Sequence, residues 1–252
     1  MRKNCFLLLL AACVSFGCFA QDVNALLKEA VNFERTQKED EALLTYQKVL
    51  QADRNNLQAL IKSAALSCAV GARQADKKAR LNYFNQAKGW ADAALLIDSN
   101  SADANYVRAV VATRFADVET DNKKVVENLR DVKAYADKAL AIDPNHARAN
   151  YVLGKWNFDM VNQAWAKRAA LKLLHGGVQP ASIENAFKYM EKARQLDQYY
   201  VLNYLDLAKA YKYDDKPAKA IEVLTKLVKL PTRTADDVSL KEEGRKMLNE
   251  MQ

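Results

Sequence analysis

Ala141-Ile142-Asp143-Pro144-Asn145-His146-Ala147-Arg148-Ala149-Asn150-Tyr151-Val152 decides the fold of this chain. Its first half stops a helix and its second half starts one. Pro presets the backbone of a first helical turn and has no N–H to lose there, while Asp or Asn offers a capping oxygen. The phrase recurs. Leu50-Gln51-Ala52-Asp53, Leu96-Ile97-Asp98 and Gln195-Leu196-Asp197 repeat its beginning, with the Asp positions 45, 45 and 54 residues apart. Ala104-Asn105-Tyr106-Val107 repeats its end 45 residues upstream, and Asn203-Tyr204-Leu205 is a third copy. Leu230-Pro231 supplies a fifth boundary, 34 residues after Leu196. A helix-breaking phrase returning at such intervals marks a chain of stacked helical units. A four-helix bundle would not repeat its boundary four times.

Composition agrees. Average usage near 7% Gly and 5% Pro would give far more than the 7 Gly and 4 Pro present in 252 residues. Turn-rich all-β folds need those residues, and abundant Ala, Leu, Lys, Glu and Gln favour helix. Half of the chain is hydrophobic, which excludes low-complexity disorder. Upstream of each boundary, small residues share one helical face: Ala87, Ala91 and Ala94; Ala136 and Ala139; Ala186 and Ala193. Such spacing lets antiparallel helices approach closely.

These units resemble the tetratricopeptide repeat. Leu207, Ala208 and Tyr211, then Ala220, Leu224 and Leu227, stand at that family's spacing, as do Ala30, Phe33, Ala42, Tyr46 and Val49. The middle units exceed the family's period, which requires longer helices or loops. The resemblance implies an all-α superhelix of about five helix pairs plus a C-terminal helix from Thr234 to Met251. A second resemblance covers roughly residues 130–250. Leu153-Gly154-Lys155-Trp156, Trp165 with Arg168, Leu173-Leu174-His175-Gly176-Gly177 and Leu230-Pro231-Thr232-Arg233-Thr234-Ala235-Asp236-Asp237 are similar to the regulator of microtubule dynamics family. The chain departs from that pattern at Lys155, where Arg is usual, and at Ala164, where Ser is usual.

The first 20 residues read as an address. Arg2 and Lys3 precede an apolar run from Phe6 to Val14, and Cys18-Phe19-Ala20 ends in small residues before polar Gln21-Asp22. That order is a secretory signal peptide over 1–20, leaving a repeat domain over 21–252. Leu10-Ala11-Ala12-Cys13 offers a competing lipoprotein reading, with Cys13 lipidated. Cleavage after Ala20 removes Cys5, Cys13 and Cys18, so Cys68 has no internal partner for a disulfide. No N-x-S/T acceptor follows, consistent with a bacterial periplasmic or secreted protein. That context sets aside the microtubules and organelle membranes of the family's animal members, so the resemblance carries the fold and not the partner. No segment after the signal is apolar enough to span a membrane.

Chemistry is sparse. His146 and His175 are too few for a metal site, and H-E-x-x-H, C-x-x-C and G-x-S-x-G are all missing. His146 reads as an exposed helix-start residue and His175 as a cation at a helix end. Cys68 lies in the apolar run Ala64-Ala65-Leu66-Ser67-Cys68-Ala69 and reads as a small hydrophobe. Asp214-Asp215 and Asp236-Asp237 read as turn and helix-start residues. Trp156 and Trp165 read as residues of the core or of a helix junction. The short pairs Lys77-Lys78 and Lys123-Lys124 do not make a nucleic-acid-binding face. The expectation is a non-enzyme without cofactor or metal.

What remains is a surface. In the tetratricopeptide family the first helix of each pair lines a concave groove. Carried onto this sequence, that groove presents Tyr106 and Arg114 from one unit, Arg148, Tyr151, Lys155 and Phe158 from the next, and Lys209 and Tyr213 from the last. Tyr and Arg commonly supply binding hot spots. The expected function is an exported interaction scaffold that binds a protein or peptide of the cell envelope. The alternatives are a small-molecule or glycan receptor on the same fold, and tyrosines that only pack between units.

Overall fold

The computed structural model describes residues 23–162 and 180–252. The expected signal peptide, Cys13, Trp165, Arg168, His175 and Gly176-Gly177 lie outside them. Among the described residues eleven helices follow one another. They are α1 (23–35), α2 (Glu39–Ala52), α3 (Leu57–Ala72), α4 (Lys77–Ile97), α5 (Ala102–Val118), α6 (Asn122–Ile142), α7 (Ala147–Asn162), α8 (Ile183–Leu196), α9 (Val201–Tyr213), α10 (Pro217–Leu227) and α11 (Asp237–Asn249). Odd-numbered helices up to α9 open each pair, even-numbered helices close it, and α11 covers the last pair. The five pairs plus a terminal helix are those the spacing predicts. The first helices of successive pairs also touch, α3 on α5, α5 on α7 and α7 on α9, so the pairs stack as a superhelix. No strand occurs among the described residues.

The recurrent Asp does more than end a helix. Each of Asp53, Asp98, Asp143 and Asp197 is the C-terminal residue of its pair in an extended conformation. Each carboxylate accepts the N–H two residues on, from Asn55, Asn100, Asn145 and Tyr199, at 3.1, 2.9, 2.9 and 3.2 Å. Each Asp carbonyl accepts the N–H three residues on. This Asx turn is the favoured local bond of Asp in a tight reversal. The next helix is capped by the third residue after the Asp: Asn56, Ser101 and His146 accept from the N–H groups of Ala59, Ala104 and Ala149.

The echo Ala-Asn-Tyr-Val is explained by its Asn. Asn105 donates to the carbonyls of Ser99 and Ser101, and Asn150 to those of Pro144 and His146. Asn203 donates to Met190 O at 3.0 Å. All three are buried. Each stitches the start of a first helix to the turn or helix before it, and the bonds give its own buried amide N–H groups their partners.

The middle units are long because their helices are: α4 and α6 have 21 residues each, against 14 in α2. The extra length of the fourth unit falls between α7 and α8. Ala87, Ala91, Ala94, Ala136, Ala139, Ala186 and Ala193 are all fully buried, as their spacing predicts. Two glycines serve the same close approach. A Cβ on Gly154 would stand 2.7 Å from Met190 Cγ and 2.9 Å from Met190 N, and one on Gly71 would stand 2.6 Å from Tyr83 Cβ. The Leu-Gly-Lys-Trp phrase is thus a packing device for α7 against α8. Trp156 is core, its Nε1 donating to Leu129 O at 2.9 Å.

The C-terminal helix begins later than its sequence suggests. Thr234 to Asp236 form a turn, and Asp237 in the first turn of α11 reaches back to it. Its carboxylate accepts from Arg233 N, Thr234 N and Thr234 Oγ1 at 2.7, 3.0 and 2.8 Å. Among the described residues no helix is long and apolar enough to cross a membrane.

Candidate partner-binding groove

The first helices bring their polar residues to one continuous face. At its N-terminal end Glu34 of α1 accepts from Tyr46 Oη at 2.5 Å and from Lys62 Nζ at 2.8 Å. Further along, His146 joins two units. Its Nδ1 accepts from Ala149 N–H, which assigns the proton to Nε2, and Nε2 donates to Asp103 at 2.9 Å. That bond holds the Asp103 carboxyl below its ordinary range. The His146 side chain is only 11% exposed, and its ring leans on Tyr106 at 5.0 Å. His146 is therefore a half-buried cap and bridge, not an exposed helix-start residue.

In the next units charges and rings interleave. The Arg148 guanidinium lies 3.4 Å from the centroid of Tyr200, which stands between α8 and α9, and donates to Asp197 at 3.2 Å. Tyr200 meets Tyr151 edge-on at 4.9 Å. Tyr151 Oη donates to Asp206 Oδ2 at 2.7 Å. Lys155 donates to both oxygens of Asp159 at 2.6 Å. Lys209 stands 3.8 Å from Asp206 and 2.8 Å from Glu243 of α11.

Burial sets the electrostatics of this cluster. Removal from water raises Asp206 above the ordinary carboxylate range, against the pull of Lys155, the Tyr151 hydrogen bond and Lys209. Burial also pushes Tyr151 and Tyr200 up. Burial alone would lower Lys155, but Asp206 and Asp159 outweigh it and hold the ammonium above its usual value. Arg148, Lys155 and Lys209 are all held by carboxylate or aromatic neighbours, so the face is nearly neutral and preorganised.

The eight sequence-predicted residues divide by exposure. Arg114, Arg148, Lys155 and Lys209 keep 30–38% of their side chains exposed, and Tyr213 is 49% exposed. Tyr106 is half-buried between α5 and the His146 ring. Tyr151 and Phe158, at 8% and 4%, are packed into the core. The structure gathers Arg148, Tyr151, Lys155 and Lys209 around Asp206 and Tyr200. Arg114 lies a helix away beside Asp117, its Nε buried without a hydrogen-bond partner among the described residues. Phe158 and Tyr213 form a T-shaped pair at the far end. Beside that pair opens a cavity of about 340 Å³ lined by Phe158, Asn162, Lys209, Lys212, Tyr213 and Met247.

Sequence reasoning passed over Asp206, Tyr200 and the bridging role of His146. Asp206 had a signal: it is a lone carboxylate inside the otherwise apolar run from Tyr204 to Ala208. Cys68 is buried with its thiol pushed up to about 12 by desolvation, which fits an inert small hydrophobe. Among the described residues no cluster of three or more His, Cys, Asp or Glu is arranged to hold a metal.

Comparison with known proteins places this geometry. Residues 26–252 match the family described as Regulator of microtubule dynamics protein 1-3. The chain belongs to this family. The match extends the family's reach from the C-terminal half, where Leu153–Trp156 and Leu230–Asp237 carry the resemblance, to nearly the whole repeat array. No functionally curated protein matches the sequence. Among solved structures, TTC0263, a thermophilic TPR protein of Thermus thermophilus, is similar at 14% identity and a TM-score of 0.65, covering 90% of this chain and 99% of its own. Pseudomonas aeruginosa PilF (13% identity) and PilW, a type IV pilus biogenesis factor (18%), each reach a TM-score of 0.54 over 92% of this chain and 90% of theirs. At these identities the likeness is one of fold: this family member is a tetratricopeptide-type superhelix.

Proposed function

We propose that the protein is an exported, non-catalytic interaction scaffold whose concave face binds a segment of a protein partner in the cell envelope. One observation carries the reading: Arg114, Arg148, Lys155 and Lys209 share one face on adjacent first helices and stay part-exposed while neighbouring carboxylates and rings fix their orientation. A side chain already immobilised loses little entropy on binding, so a preorganised face gains affinity from few contacts. Arg148 on the Tyr200 ring is the centre of this surface, and the cavity between Phe158 and Met247 gives an apolar side chain a seat at its end. Tyr151 supports the face from beneath and does not touch the partner, while Phe158 forms one wall of the terminal seat. The family's fold supports a scaffold role, since stacked pairs present extended concave surfaces. Export rests on the sequence of residues 1–20.

The test is affinity capture from the native envelope with the mature chain, comparing wild type with Arg148→Glu and Lys155→Glu. A partner retained by wild type, and at least tenfold depleted by either variant while thermal unfolding stays cooperative, supports the reading. Equal recovery by all three contradicts it.

A further inference from the structure

The closing phrase Leu230–Asp237 has a use that neither the last helix pair nor the groove accounts for. Its residues touch the first repeats of the array. Gln37, in the α1–α2 turn at φ 60°, donates from Nε2 to Thr232 O at 3.0 Å, across 195 residues. Ala235 N–H donates to Glu39 Oε1 at 3.3 Å, across 196 residues. Arg73, which ends α3, pairs with Glu39 at 2.8 Å and with Asp236 at 3.3 Å. The phrase itself is stiff. Leu230 is buried, Lys241 Nζ donates to its carbonyl, Asp237 ties down Arg233 and Thr234, and the Arg233 guanidinium lies 4.0 Å from the Tyr199 ring centroid.

The topology of these contacts is specific. Residues 36–39 and Arg73 lie where first helices end, whereas 230–236 lies at the opposite edge, with the Asx turns. For the two edges to meet, the stack must wind through about one superhelical turn, since curvature in such arrays accumulates from a small rotation per repeat. The array is thus closed on itself, and the concave face is the inside of the closure.

The closing interface differs in kind from the junctions between neighbouring pairs. Those are joined by buried Ala, Leu, Tyr and Val. The ends are joined by one part-exposed ion pair, Arg73 with Asp236, and by two hydrogen bonds between a side chain and the main chain, Gln37 to Thr232 and Ala235 to Glu39. Such contacts are individually weak, and the ion pair is screened by salt. Any widening of the ring therefore begins there. We propose that residues 230–237 are an intramolecular latch, fastened by Arg73, Glu39 and Gln37, that sets the aperture of the concave face and opens reversibly. The latch itself does not depend on the groove having a partner.

Paired spin labels on the mature chain test it, placed at Thr36→Cys and Lys229→Cys, with the buried Cys68 left unlabelled. Wild type should give one narrow distance distribution. Asp236→Arg sets a second cation against Arg73 and should lengthen and broaden it. Adding Arg73→Glu to Asp236→Arg restores an opposite-charge pair and should narrow it again, and 1 M NaCl should broaden both wild type and this charge-exchanged variant towards the open form. The reversal by charge exchange separates an opened latch from a misfolded chain. An unchanged distribution in Asp236→Arg, or a lengthening that Arg73→Glu does not reverse, overturns the proposal.

Discussion

Tyr151 and Asp206 are hydrogen-bonded at 2.7 Å across two successive first helices, 55 residues apart in sequence. Both are buried, so each partner depends on the other to avoid an unpaired polar atom. Tyr151→Phe keeps the ring against Tyr200 and removes only the donor. The expected cost is about 1–3 kcal/mol, the penalty for stranding a buried polar group. Urea unfolding measures it, with Tyr151→Ala expected to cost more through the cavity left behind.

The charge on Asp206 predicts a pH dependence. Its folded-state pKa is raised above the ordinary value by burial, so this site contributes most below the ordinary carboxylate range and loses that contribution as pH rises through the folded value. Asp206→Asn keeps an acceptor for Tyr151 without the buried charge. The variant should be as stable as wild type or more so at pH 7, and the gap should close towards pH 4. Urea midpoints across that range decide, and a deficit at pH 7 that shrinks on acidification would contradict the assignment.

Two glycines should respond to the same substitution with opposite signs. Gly154→Ala drives a methyl into the Met190 backbone and should cost about 1–3 kcal/mol. Gly89, also within a helix, has no atom within 4 Å of where a Cβ would stand, so Gly89→Ala should stabilise by about 0.5–1 kcal/mol through helix propensity alone. Thermal melts of both variants check the pair.

The tyrosines predict an alkaline limit. Tyr46, Tyr106, Tyr151, Tyr200, Tyr204 and Tyr211 are all raised by burial. A raised folded value contributes stability below the unfolded value of ~10 and loses it as pH climbs beyond. Absorbance near 295 nm should show these six tyrosines ionising only together with loss of helix by circular dichroism. A single transition near pH 10 with helix intact would contradict the burial of these rings.

The repeat was legible because its boundaries are local chemistry. Asp143-Pro144-Asn145 announces a turn from three residues, and the alanines on α4, α6 and α8 announce close packing from their spacing. The number of pairs and the identity of the core followed. The groove was legible in position but not in depth. Tyr151 and Tyr213 stand on successive first helices, yet one is sealed beneath Arg148 and Asp206 and the other is open. Only the crossing of neighbouring helices decides that. The bond from Tyr151 to Asp206 and the contact of Arg73 with Asp236 span 55 and 163 residues, and no local pattern encodes them.

The proposed seat of the partner is the concave face. Photo-crosslinking in the native envelope tests it most directly, with a crosslinking residue in place of Lys209 inside the array or of Leu96, which is 89% exposed outside it. A discrete adduct from position 209, competed away by unlabelled wild-type protein and missing from position 96, is the expected result. Adducts of the same partner from position 96 and none from position 209 would place binding on the outer face and rule out the groove.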